Sequence, residues 1–153
     1  MSNDNNVTGG CMCGAVRFEA HGVSTDVGYC HCTDCRGFSG APVVLWVVYE
    51  TKDVRFTNGD RKTYESSPGI HWGFCGKCGT SLTWEANSMR YDGQPIIEFH
   101  ISAFDEPELF TPVHHWMDFE RIPWFDVADD LPRYAKMDVD AEPTHVGPRP
   151  TNR

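Results

Sequence analysis

The sequence predicts a mainly β protein of many short strands with little helix, and three observations carry that expectation. Alternating or β-branched stretches of strand length recur along the chain. Pro107 and Pro132 limit the two places where a helix would otherwise start, so helix content should be small. The cysteines fall in close groups at the spacing of metal knuckles, so that a four-cysteine zinc site would staple the first strand to a later sheet.

The elements follow in order. Val16-Arg17-Phe18-Glu19-Ala20 alternates apolar and polar residues, as a half-buried strand does. Pro42 to Tyr49 is an apolar β-branched and aromatic run that suits a strand buried on both faces. Val54 to Thr57 and Lys62 to Glu65 flank Asn58-Gly59, a pair that tolerates positive φ, and are expected to form a hairpin. Ser81 to Glu85, Ile96 to Ser102 and His114 to Phe119 are further strand candidates, and brief helices are expected near Glu106 to Phe110 and Val127 to Tyr134. Residues 1–8 are expected to be a flexible N-terminus, 9–136 a single zinc-binding β domain, and 137–153 a poorly ordered tail rich in Pro, Asp and polar residues.

At 153 residues the chain has the size of one domain and can bury a core without disulfides. Its formal net charge of -9 gives a field that repels nucleic acid and anionic membrane surfaces, so neither is expected as a partner. The longest apolar run, Ala41 to Tyr49, is too short to span a bilayer, and Met1 to Gly10 lacks a basic and apolar leader. A cytoplasmic location is the resulting expectation.

In a reducing compartment, seven closely spaced thiols are metal ligands or catalytic groups rather than a disulfide framework, and their odd number excludes complete pairing within the chain. Cys75-Gly76-Lys77-Cys78-Gly79 supplies half of a tetrahedral zinc site, and Cys11-Met12-Cys13-Gly14 is its natural complement. Cys11, Cys13, Cys75 and Cys78 would form a closed site that contributes folding free energy and binds no substrate. The alternative is a set of buried core thiols without metal. Cys30, Cys32 and Cys35 then remain, one ligand short of a second zinc site, and an open fourth position is the mark of catalytic zinc. Two alternatives stay open here: His31 or a distant histidine such as His115 closes the site, or the three thiols form a cluster that redox-cycles.

These motifs carry a resemblance. Gly10-Cys11-Met12-Cys13-Gly14-Ala15-Val16-Arg17-Phe18, Tyr29-Cys30-His31-Cys32-Thr33-Asp34-Cys35-Arg36 with Ser39-Gly40-Ala41, and Ser66-Ser67-Pro68-Gly69 leading to Phe74-Cys75-Gly76-Lys77-Cys78-Gly79-Thr80-Ser81-Leu82 resemble the glutathione-dependent formaldehyde-activating enzyme family, which includes centromere protein V. Asp105-Glu106-Pro107-Glu108-Leu109, Pro112, His115 and Ile122-Pro123-Trp124 are similar to its C-terminal signature, so the resemblance runs from about Gly9 to Tyr134.

The resemblance implies a mainly β fold of short twisted antiparallel sheets, similar in outline to methionine sulfoxide reductase B. It implies two zinc ions: a structural one at Cys11, Cys13, Cys75 and Cys78, and a more labile one at Cys30, Cys32 and Cys35. It also implies S-(hydroxymethyl)glutathione synthase activity, that of a carbon–sulfur lyase, with glutathione and formaldehyde as partners. His31 or Asp34 is then the candidate for moving a proton, and Arg36 for offsetting thiolate charge or holding a glutathione carboxylate. Where many members of the family carry an arginine before Phe-Cys, this chain has Ile70-His71-Trp72-Gly73, which puts an aromatic wall at Trp72. Together with the acidity of the chain, that widens the expected substrates to a related thiol or small aldehyde. Trp46 and Trp72, among Trp46, Trp72, Trp84, Trp116 and Trp124, are the expected pocket residues. A non-catalytic zinc-binding module and a thiol redox protein are the competing functions.

Overall fold

The alternating stretch around Phe18 and the β-branched run before Glu50 both become strands. In the computed structural model, which describes residues 6–87, 93–138 and 140–148, the first elements are β1 (Val7–Gly10), β2 (Arg17–Ala20), β3 (Asp26–Cys30) and the helix α1 (Thr33–Ser39). They are followed by β4 (Val44–Glu50), β5 (Val54–Asn58), β6 (Lys62–Ser67), β7 (Ile70–Phe74), β8 (Ser81–Ala86) and β9 (Ile96–His100). Short 3-10 turns at Ile101–Ala103 and Pro107–Leu109 separate these from β10 (His115–Trp116), and another at Asp118–Glu120 lies between β10 and β11 (Pro132–Arg133), which β12 (His145–Val146) follows. The protein is mainly β, as expected. Among the described residues no helix is long and apolar enough to cross a membrane.

Two compact units share the chain: Met1–Asp26 with Val47–Phe110, and Val27–Trp46 with Thr111–Arg153. In the first, β1, β2 and β5 form an antiparallel sheet, with Val7 opposite Ala20 and Phe18 opposite Phe56. The strands β9, β8, β7 and β6 form an antiparallel ladder in that order, placing Trp84 opposite Glu98 and Trp72 between Trp84 and Tyr64. The core lies where Phe18 of β2 stacks on Phe99 of β9, ring centroids 3.9 Å apart, with Phe104 edge-on to Phe18 at 5.3 Å. Both Phe18 and Phe99 are fully buried, and each such ring contributes about 2–3 kcal/mol of apolar burial.

In the second unit, β10 pairs in parallel with β3, His115 opposite Tyr29 and Trp116 opposite Cys30, and in parallel with β11, His115 opposite Arg133. The antiparallel pair β11 and β12 completes it. These parallel ladders make the sheets mixed rather than purely antiparallel. Helix α1 starts at Cys32, whose Sγ accepts from the Cys35 amide at 3.3 Å, and stops at Gly40 in the left-handed region (φ 70), whose amide donates to Arg36 O.

Several local expectations are corrected. The stretch Val54 to Glu65 is not a hairpin: β5 pairs with β2 and β6 with β7, so Asn58-Gly59 passes the chain from one sheet to another. Val127 to Tyr134 is not helical; Pro132 and Arg133 pair as β11, and Arg133 is drawn inward by buried carboxylates. Ile96 to Ser102 ends as a strand at His100, and His114 to Phe119 is a strand only at His115–Trp116. Within the stretch read as a tail, Thr144 donates its amide to Arg133 O at 2.8 Å and His145–Val146 pairs with β11. Of the stretches expected to be flexible or poorly ordered, 1–5, 139 and 149–153 lie outside the described residues.

Candidate functional site

The structure brings the cysteines together in two groups, one in each unit. In the first unit the Sγ atoms of Cys11, Cys13, Cys75 and Cys78 all lie within 4.8 Å of one another. Each pair sits in a tight turn closed by a glycine amide: Gly14 N returns three residues to Cys11 O at 3.0 Å, and Gly79 N returns four residues to Cys75 O at 2.9 Å. Amides also point at sulfur, Val16 N to Cys11 at 3.2 Å and Lys77 N to Cys75 at 3.4 Å, as suits thiolates. Thr80 Oγ1 ties the turns together, accepting from Met12 N at 3.2 Å and lying 3.0 Å from Cys78 Sγ. That hydroxyl contact holds the Cys78 thiol down to about 5.

The donor set fits zinc. Four sulfurs at about 2.3 Å around a tetrahedral ion lie roughly 3.8 Å apart. Here Cys11 and Cys13 are 3.6 Å apart, and Cys13 and Cys75 3.9 Å.

In the second unit, the end of β3 and the start of α1 gather Cys30, Cys32 and Cys35, again within 4.8 Å of one another. Cys30 and Cys35 are buried and Cys32 is partly exposed, so the group meets solvent on the Cys32 side. Hydrogen bonds from the Cys30 and Cys35 thiols, joined by the α1 amides, hold Cys32 down to about 3. Its two partners are pushed up, Cys30 and Cys35 each chiefly through their shared contacts with the other thiols. The indole Nε1–H of the buried Trp46 donates to Cys35 Sγ at 3.4 Å. Among the described residues no histidine or carboxylate joins these three sulfurs.

The remaining predicted residues are placed as follows. His31 is fully buried, and its Nε2 lies 2.9 Å from His115 Nδ1, so both rings are engaged with each other rather than with the sulfurs. Burial pushes His31 down to about 4. Asp34 is exposed in the first turn of α1. Arg36 donates through Nε to His31 O at 3.2 Å and through Nη2 to Thr33 Oγ1 at 3.2 Å and Glu120 O at 3.3 Å. Trp72 belongs to the unit of the four-thiol group, buried in β7 with its indole N–H on Ser66 Oγ at 3.0 Å. Trp116 is buried against His114 and Tyr134, whereas Trp124 is 68% exposed.

Sequence reasoning missed the residues that brace the three-thiol loop. Glu120 accepts from Thr33 N at 2.7 Å and Thr33 Oγ1 at 2.8 Å, capping the start of α1. Arg133, fully buried, meets Asp126 at 2.9 Å and Asp118 at 3.6 Å, donates to Gly147 O at 2.6 Å, and reaches His115 Nδ1 at 3.3 Å. Asp129 lies 3.0 Å from His115 Nε2. An isolated Arg or Glu carries no spacing signal, so nothing in the sequence pointed to Arg133 or Glu120.

A family model described as glutathione-dependent formaldehyde-activating enzyme matches residues 6–118. Among solved structures the chain is similar to the crystal structure of a Rhodobacter sphaeroides protein, with a TM-score of 0.53 and 21% identity, covering 71% of this chain and 98% of that one. At that identity the likeness concerns the fold alone. No curated protein matches the chain. Both thiol groups lie inside the matched residues, and the chain belongs to the glutathione-dependent formaldehyde-activating enzyme family.

Proposed function

We propose that the protein is a zinc-dependent carbon–sulfur lyase of the S-(hydroxymethyl)glutathione synthase type, joining a small aldehyde to glutathione or a related thiol. The observation that carries this reading is the group Cys30, Cys32 and Cys35, in which three thiols converge on the Cys32 side with no fourth protein ligand among the described residues. Cys11, Cys13, Cys75 and Cys78 would hold a structural zinc ion, and the three-thiol group a second, more labile one. An ion bound there supplies Lewis acidity and favours the thiolate form of an incoming thiol.

The reaction adds S–H across a C=O bond: a C–S bond forms, the carbonyl π bond opens, and the thiol proton ends on the new hydroxyl. The chain's residues contribute position. Trp46 orients Cys35, the start of α1 orients Cys32, and the exposed side of Cys32 admits two small reactants whose encounter the site makes intramolecular. Asp34, exposed one residue before Cys35, is the nearest carboxylate in sequence to move the proton, and His31 is the second candidate. Arg36 acts by holding the loop through His31 O and Thr33 Oγ1, and would offset thiolate charge or hold a glutathione carboxylate. A cytoplasmic setting would keep the thiols reduced.

Exchange spectroscopy by NMR on mixtures of formaldehyde and glutathione tests the proposal. Interconversion should be faster with the zinc-loaded protein than without it, and a Cys32→Ser variant should lose the acceleration. An exchange rate equal to the spontaneous one, with two zinc ions bound, would overturn the enzyme and leave a zinc-binding module.

A further inference from the structure

The segment after Asp118, the last residue of the family match, supplies Asp129 and Arg133, and these close a buried hydrogen-bond chain on the loop of the three thiols. Arg133 Nη1, which can only donate, lies 3.3 Å from His115 Nδ1. That nitrogen must therefore carry a lone pair, and the ring proton of His115 sits on Nε2, facing the two Asp129 oxygens at 3.0 and 3.1 Å. The same Nδ1 lies 2.9 Å from His31 Nε2, so His31 must bring the proton to that contact. His31 is left with a bare Nδ1, buried and without a hydrogen-bond partner.

We infer that Arg133 and Asp129 are positioning residues for the three-thiol site, fixing both His115 and His31 with their protons on Nε2 and thereby anchoring the residue between Cys30 and Cys32. The anchoring has three points. The His31 amide donates to Trp116 O at 3.1 Å, its carbonyl accepts from Arg36, and its ring is held by His115. The two rings are nearly parallel, 20° apart, and His115 also stacks on Tyr29 with centroids 4.6 Å apart. The inference rests on the reading of Cys30, Cys32 and Cys35 as a metal site.

Nitrogen-15 spectra of the histidine rings in the zinc-loaded full chain test it, with resonances assigned by His31→Gln and His115→Gln. Both rings should show a protonated Nε2 and an unprotonated Nδ1; a proton on Nδ1 of either ring would overturn the proposal. In Arg133→Met, His115 should lose its single ring form and zinc binding by the three-thiol group should weaken about tenfold, while the four-thiol group keeps its ion. Arg133→Lys, which restores a donor to His115 Nδ1, should recover the ring pattern. A folded Arg133→Met protein with unchanged zinc affinity at the three thiols would also overturn it, and should that variant not fold, the wild-type spectrum decides. Wild-type zinc content separates the two failures: one ion per chain refutes the metal reading, whereas the ring protons are read independently of it.

Discussion

The indole N–H of Trp46 donates to the sulfur of Cys35 across 3.4 Å, with both side chains buried. A thiolate that accepts such a bond is held in one direction and loses part of its charge to the donor, which tunes any ion it binds. Trp46→Phe keeps most of the apolar volume and removes the donor. The three-thiol group should then bind zinc about tenfold more weakly, measured by competition with a chromophoric chelator. Unchanged affinity would make Trp46 a core residue only.

The two thiol groups should respond differently to loss of a ligand. Cys32, partly exposed at the start of α1, belongs to a local loop, whereas Cys75 joins turns from distant parts of the chain. Wild-type protein should carry two zinc ions. Cys32→Ser should carry one and still unfold cooperatively; Cys75→Ser should lose most of its thermal stability. Elemental analysis and thermal unfolding measure both, and equal damage from the two variants would contradict the division.

Gly9 is required by close approach rather than by its φ. A Cβ there would stand 2.2 Å from Ala103 O and 2.5 Å from Phe18 Cζ, at the bridge where Gly9 pairs with Phe104. The backbone oxygen cannot swing aside, and the Phe18 ring is locked by Phe99. Gly9→Ala should therefore destabilise the first unit by about 1–3 kcal/mol in urea unfolding.

His100, at the end of β9, is 7% exposed, and burial pushes it down to about 4. The unfolded chain therefore binds a proton on this ring at a pH where the folded chain does not. Stability from this residue is complete above about pH 6.5 and is lost as pH falls toward 4, by about 3 kcal/mol in all. Urea midpoints at about pH 7 and pH 4.5 should differ less in His100→Gln than in the wild type. An identical slope would remove His100 from the acid response.

What could be read from the sequence was what is local in it. The thiol groups were legible because knuckle spacing places ligands within a few residues, and β4 because a strand buried on both faces shows as an unbroken apolar run. β3 and β7 were not read: Asp26–Cys30 and Ile70–Phe74 contain Gly28 and Gly73, which lower strand propensity but allow close neighbours, His114 Nε2 and Thr83 Oγ1. α1 escaped because Cys32, rather than Ser or Asp, makes the cap. The Asn58-Gly59 turn was recognised but its partners were not, since turn chemistry does not say which sheet a strand joins. The brace of Arg133, His115 and Asp129 depends on pairings between β10, β11 and the intervening loop that no periodicity encodes.

Each compact unit is assembled from two separated stretches of chain, and this sets an order of events during synthesis. The loop from Cys30 to Cys35 is complete once residue 35 has left the ribosome, whereas Cys11 and Cys13 wait for Cys75 and Cys78. A nascent chain thus offers its chelating tripod before its staple exists. On the zinc reading proposed above, reach along the polypeptide as well as affinity would set which thiols meet scarce metal first.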